Sequence, residues 1–159
     1  MKKIEFGKLK VERNSLKKMD DPDIFIQGNQ TTYINNLFMD EDFPCKRLLI
    51  KELERKIGGY RQQDKRKNIL NEDTLINLSN LTEKLVSSRL KCKYCRENVY
   101  LFYKNVRDDY QWTLDRINND LGHSCANTLI SCLKCNLQRR RRSMAAFTFT
   151  KELRIKKTE

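Results

Sequence analysis

The chain has 159 residues, 38% hydrophobic and 34% charged, with a mean hydropathy of −0.78, so its apolar core must be modest: one ordinary domain, or a small one with an appendage. Lysine and arginine number 33 against 21 acidic residues, a formal charge of +12 that attracts phosphate backbones through counterion release, although a basic balance can also serve solubility alone. No stretch approaches the ~20 apolar residues of a membrane span, and the opening MKKIEFGKLK lacks the apolar core of a secretory signal, so the expectation is an intracellular protein, with no membrane partner.

In chain order, residues 1–43 carry short apolar clusters such as Ile24-Phe25-Ile26, broken by Pro22, Gly28 and several Asn and Asp without a sustained period. They predict an extended arm, open to a protein partner. Pro44 suits a first helical turn, and Leu49, Ile50, Leu53 and Ile57 form an apolar stripe that Gly58-Gly59 should end. After a basic connector, Asn71 reads as an N-cap for a second amphipathic helix through Leu75, Leu78, Leu81, Leu85 and Val86 to about Leu90. Residues 44–90 thus form a helical scaffold, with Arg61, Lys65, Arg66 and Lys67 either touching phosphates or simply solvated.

Four cysteines come next as Cys92-x-x-Cys95 and Cys132-x-x-Cys135, the soft ligand set of a closed tetrahedral zinc site. A reducing compartment favours zinc over disulfides for this spacing. The 36 residues between the pairs exceed the roughly 15–20 of a compact zinc ribbon, so the insert needs structure of its own. Val99 to Tyr103, Tyr110 to Ile117 and Thr128 to Ser131 are strand candidates for a hairpin, with Tyr110 and Trp112 packed beneath it. Leu133 to about Ser143 then reads as a helix carrying Asn136 and Arg139 to Arg142, and residues 144–159 as a basic tail or short strand. Cys45 and Cys125 read as packing residues. Positive charge concentrates in residues 91–159, with 15 basic against 7 acidic groups, compared with 18 and 14 in residues 1–90.

Read together, Cys92-Lys-Tyr-Cys95, Trp112-Thr-Leu-Asp115-Arg116-Ile-Asn-Asn-Asp120-Leu-Gly122-His123, Asn127 and Cys132-Leu-Lys-Cys135-Asn136 resemble a zinc-bearing HNH endonuclease of the ββα-metal type. The likeness covers about residues 88–142. With the upstream helices and Gln62-Gln63-Asp64 it is similar to HNH proteins of large DNA viruses and phages. The resemblance implies an α+β fold in which residues 91–143 form a zinc-stapled module beyond two helices and an arm. It further implies that Asp115 and Asn136 hold a catalytic Mg²⁺ or Mn²⁺, while Asn127 braces the loop between the strands. Asp115 also has a plainer reading, as a turn carboxylate paired with a neighbouring arginine.

Where the family's pattern places its general-base histidine, this chain has Arg116, which stays protonated and can only steady an anion. His123, the sole histidine, is then the substitute base or a loop residue, with Asp120 a weaker candidate. Arg139, Arg140, Arg141 and Arg142 would grip phosphates of double-stranded DNA, or form a localisation signal or solvated face. The leading expectation is a metal-dependent DNA endonuclease. The alternatives are a zinc-stabilised nucleic-acid-binding or virion-architectural protein without catalysis, which Arg116 favours, and a zinc module for protein interaction.

Overall fold

The computed structural model describes residues 10–13 and 21–153; the remainder of the expected arm and tail lies outside the described residues. Among the described residues the chain is mixed α+β. A 3₁₀ turn (Pro22–Phe25) leads into α1 (Gln27–Phe38), α2 (Lys46–Arg66) and α3 (Leu78–Ser87), followed by an antiparallel pair, β1 (Trp112–Arg116) and β2 (Thr128–Cys132), then α4 (Leu133–Arg139) and α5 (Met144–Glu152). No helix among them is long and apolar enough to cross a membrane.

The first segment differs from the expected arm. Asp21 caps the 3₁₀ turn by accepting from Asp23 N–H at 2.9 Å, with Pro22 in the first turn, and α1 then packs against α3. Its sequence is too polar to show a hydrophobic period, because a buried polar residue does much of the joining. Gln30, fully buried, accepts from the Leu101 and Phe102 amides at 2.6 and 3.1 Å and donates to the Phe102 carbonyl at 3.1 Å. The same contacts explain why Val99–Tyr103 is not a regular strand: its backbone groups bond to Gln30 and to scattered partners, with one isolated bridge at Tyr100–Gln111. Farther upstream, Arg13 ion-pairs with the buried Glu52, and Glu12 bridges Asn105.

Helix α2 runs through Gly58-Gly59 rather than stopping there. Each interior glycine costs about 1 kcal/mol relative to alanine, but the buried stripe of Leu49, Leu53, Tyr60 and Asp64 continues past the pair, and packing outweighs propensity. Asn71 caps a turn by accepting from Asp73 N–H at 3.0 Å, and the N-cap of α3 is instead Asn77, which accepts from Asn80 N–H at 2.8 Å. At the other end α4 stops at Arg139, before Arg140 at φ 53°, so the arginine run is split between helix and turn. Residues 144–152 form a helix rather than a tail: Ser143 caps α5, whose Phe147 is buried edge-on against Tyr94 at 4.8 Å between centroids.

The strands pair in the register Trp112↔Cys132 to Arg116↔Thr128. Since β1 has only one partner strand, its outer edge must be satisfied otherwise. Tyr100 O accepts from Trp112 N–H, Tyr60 Oη accepts from Leu114 N–H at 2.9 Å, Lys56 Nζ donates to Trp112 O, Asn136 Nδ2 donates to Leu114 O at 3.3 Å, and Arg139 donates to Arg116 O. That edge lies between α2 and α4, and it forms one wall of the site.

Candidate metal centre and cationic groove

The four predicted cysteine ligands converge: Sγ of Cys92, Cys95, Cys132 and Cys135 all lie within 4.8 Å of one another. The Cys95 and Cys132 sulfurs are 3.9 Å apart, close to the roughly 3.8 Å edge of a tetrahedron built on ~2.3 Å zinc–sulfur bonds. Each pair sits in a turn whose amide points at sulfur, with Tyr94 N–H donating to Cys92 Sγ and Cys135 N–H to Cys132 Sγ, both at 3.4 Å. The sulfurs compete for protons. Hydrogen bonds from Cys132 and Cys135 draw the Cys92 thiol far down, while donation to Cys132 and Cys92 drives Cys135 far up. A dication relieves that competition by accepting all four as thiolates. The cluster can hold a metal ion such as zinc, and the donor set fits one; Cys45 and Cys125 lie outside it.

The centre ties the Cys92–Cys95 turn to the junction of β2 and α4, with Lys93 N–H also donating to Ile130 O at 3.0 Å. A metal held there would fix that turn, β2 and α4 as a unit, and the outer edge of β1 faces a groove of about 970 Å³. Asp115, Arg116, Asp120, His123 and Asn136 all line it, as do Lys56, Lys67, Arg140 and Arg141. Five of the six residues put forward for catalysis thus share one cavity, and Asn127 is not among its lining.

Within it, the side chains have distinct attachments. Asp115, buried on β1, accepts at Oδ2 from Tyr94 Oη and from Arg139 Nη1 at 2.9 Å. Arg139 is buried as well, and also donates to the carbonyls of Arg116, Ile117 and Arg142. This corrects its assignment as a phosphate contact: its guanidinium is consumed in joining α4 to β1, and only Arg140, Arg141 and Arg142 of the run are exposed. The partner of Asp115 is an arginine 24 residues away on the next helix, and Asp115 sits in a strand rather than a turn. Asn136 donates through Nδ2 to Thr113 Oγ1 at 3.0 Å and to Leu114 O.

Asn127 and Arg116 both brace the loop from 117 to 127. Asn127 accepts at Oδ1 from Asn118 N–H at 2.9 Å and donates through Nδ2 to the carbonyls of Asn118 and Gly122 at 2.9 and 3.0 Å. Arg116, nearly buried, donates to the carbonyls of Asn119 and Leu121 at 3.1 and 3.2 Å.

His123 has a partner that the sequence does not advertise. Its Nδ1 lies 2.7 Å from Asp64 Oδ1, its backbone N–H donates to Asp64 Oδ2 at 2.7 Å, and its ring stacks on Tyr60 at 4.5 Å. Asp64 is 1% exposed, on the last turns of α2. The approach requires Gly122, because a Cβ there would lie 2.8 Å from Ile69 O and 2.9 Å from Asp64 Oδ2. Burial pushes the imidazole below its ordinary range, against the pull of the Asp64 hydrogen bond, with Arg116 and Lys67 adding to the downward shift. The ring is therefore neutral at pH 7. The clue in the sequence is that Asp64 continues the buried face of α2 beyond Ile57, a continuation masked by reading Gly58-Gly59 as a stop.

Trp112 is buried beneath the hairpin, its ring 4.4 Å from Lys56 Nζ, whereas Tyr110 is 38% exposed. Half-buried Lys56 has its ammonium pushed well down by burial and by Arg55 and Arg13. No protein-family model, curated protein or solved structure matches this chain.

Proposed function

We propose that the protein is a metal-dependent endonuclease of the HNH type that hydrolyses DNA phosphodiester bonds, its four cysteines holding a structural zinc. One observation carries the reading: a cationic groove along the free edge of β1 collects a carboxylate, an asparagine amide and a neutral imidazole. Lys67, Arg140 and Arg141 would attract the backbone, and the polar trio would meet a phosphate there.

The donor set for a hard cation is small. Asp115 takes its hydrogen bonds on Oδ2 and Asn136 makes its own through Nδ2. That leaves Oδ1 of Asp115 and Oδ1 of Asn136 as the candidate ligands, a pair that suits Mg²⁺ or Mn²⁺, ions that keep several waters and take the rest from substrate phosphate. A divalent cation bound there supplies charge neutralisation at the scissile phosphate. Arg116, tied to loop carbonyls, steadies an anion and takes no proton. His123 is the base within the groove.

A plasmid-nicking assay with Mg²⁺ or Mn²⁺ tests this reading. The expected outcome is nicking by the wild type that vanishes in Asp115→Asn, which leaves an acceptor for Tyr94 and Arg139, and in Asn136→Ala. The arginine at position 116 supports a second reading, a zinc-stabilised nucleic-acid-binding protein without catalysis. Gel retardation without nicking, unchanged in Asp115→Asn, would favour that protein and sink the endonuclease.

A further inference from the structure

His123 is held by a group that lies 59 residues away on another element, and the manner of holding has chemical content. The two oxygens of Asp64 divide the work: Oδ2 accepts from the backbone N–H of His123, and Oδ1 faces Nδ1 at 2.7 Å. A carboxylate engaged by one donor on each oxygen is an acceptor at both, so the ring proton belongs on Nδ1. A neutral ring carrying that proton presents a lone pair at Nε2. Among the described residues the buried side-chain polar atoms without a partner are Arg13 Nη1 and Gln27 Oε1, so Nε2, to which no group hydrogen-bonds, opens onto the groove. Stacking on Tyr60 at 4.5 Å fixes the ring plane, and Gly122 admits the close approach.

We propose that Asp64 is the positioning residue for His123, fixing its Nδ1–H tautomer so that Nε2 accepts the proton of a water attacking a phosphodiester in the groove. The inference rests on the endonuclease reading for its substrate, and on the Asp64–His123 geometry for its acid–base part. In the step, a water O–H proton passes to Nε2 while that oxygen forms the new bond to phosphorus. The bond from phosphorus to the leaving sugar oxygen breaks with its electron pair on that oxygen, which takes a proton from solvent, and the imidazolium returns its proton to solvent. The arrangement supplies from α2 what Arg116 cannot supply from β1.

Asp64, Tyr60 and nearby Lys67 face the ring from α2 and its end, Arg116 faces it from β1, and Asp120 shares its loop and cavity. Of these, Asp64 favours the imidazolium, while burial, Arg116 and Lys67 oppose it. Activity that needs neutral His123 is therefore full at pH 7 and falls as pH drops through a midpoint below the ordinary histidine value. Replacing Asp64 by a neutral group removes the upward pull and moves that midpoint lower still.

The chain has one histidine, which makes the test direct. Nitrogen-15 NMR of the wild-type protein reads the tautomer and the titration of that single ring, alongside plasmid nicking across pH for wild type, Asp64→Asn and His123→Ala. The expected results are an Nδ1–H ring at pH 7, a nicking profile whose acid limb coincides with the ring titration, and a loss of about 10²- to 10⁴-fold in His123→Ala. In Asp64→Asn the nicking rate should drop with DNA affinity unchanged, and the acid limb should shift downward. A wild-type ring protonated on Nε2, or Asp64→Asn with unmoved rate and midpoint, overturns the proposal whether or not the variant is stable. An Nδ1–H ring in a wild type that never nicks overturns the endonuclease reading and the proton transfer with it, leaving Asp64 as a clamp on the loop.

Discussion

The two ends of the β1–β2 hairpin are secured in opposite ways. At the Trp112↔Cys132 end, four sulfurs within 4.8 Å of one another bind the strands to the preceding turn and to α4. At the Arg116↔Thr128 end, no such centre exists among the described residues, and polar side chains hold the chain instead: Asn127 and Arg116 within the loop, Asp64 from α2, and Arg139 from α4. A metal ion held by the first clamp would concentrate its strength in one centre, which fails as a whole. The second is distributed, so its members can be removed singly, and it is the end to which the proposed chemistry is assigned.

The largest effect should come from the sulfur end. Chelation of the metal, or Cys132→Ser, should remove most of the cooperative melting of the cysteine half, since structural zinc contributes on the order of 10–16 kcal/mol of binding free energy in small zinc modules. Thermal unfolding followed with and without chelator, beside a measured ratio of one zinc per chain, checks this; an unchanged melt would erase the contrast. Next comes the ion pair joining α4 to β1. Arg139→Ala should destabilise by about 3–5 kcal/mol because it strands Asp115 as a buried charge, whereas Arg140→Ala and Arg141→Ala should stay within about 0.5 kcal/mol and instead weaken DNA binding and flatten its salt dependence. Denaturant titration and binding at several salt concentrations separate the two. A smaller loss than that of Arg139→Ala belongs to Asn127→Ala, which leaves loop amide and carbonyl groups unbonded and should cost about 1–3 kcal/mol, with nicking reduced as well. Hydrogen exchange confined to residues 117–127 would locate the change.

The two ends also differ in how openly the chain announces them. Cys-x-x-Cys spacing states a geometry within four residues, so the ligands are legible in the bare sequence, as are β2, nearly to the residue, and the start of α2 within two residues. Pairings across long stretches of chain leave no such mark. Arg139 looks like any member of a basic run until α4 turns it inward, and Asp64 looks like one acid among Gln and Lys until its helix is seen to run through two glycines. Helix α1 escapes sequence reading for a related reason: its interior position goes to Gln30, which no hydrophobic period reveals. Buried polar residues are chosen by partners, and partners are a property of the fold.

The outer edge of β1 carries a further consequence. A two-stranded ribbon with one open margin would ordinarily be a template for cross-β growth or for swapping strands between copies. Here tyrosine, lysine, asparagine and arginine side chains from α2 and α4 occupy most of that margin. The ribbon is thus sealed against its own kind, and loss of a sealing side chain that carries no buried ion pair, as in Lys56→Ala, should show first as self-association rather than as unfolding.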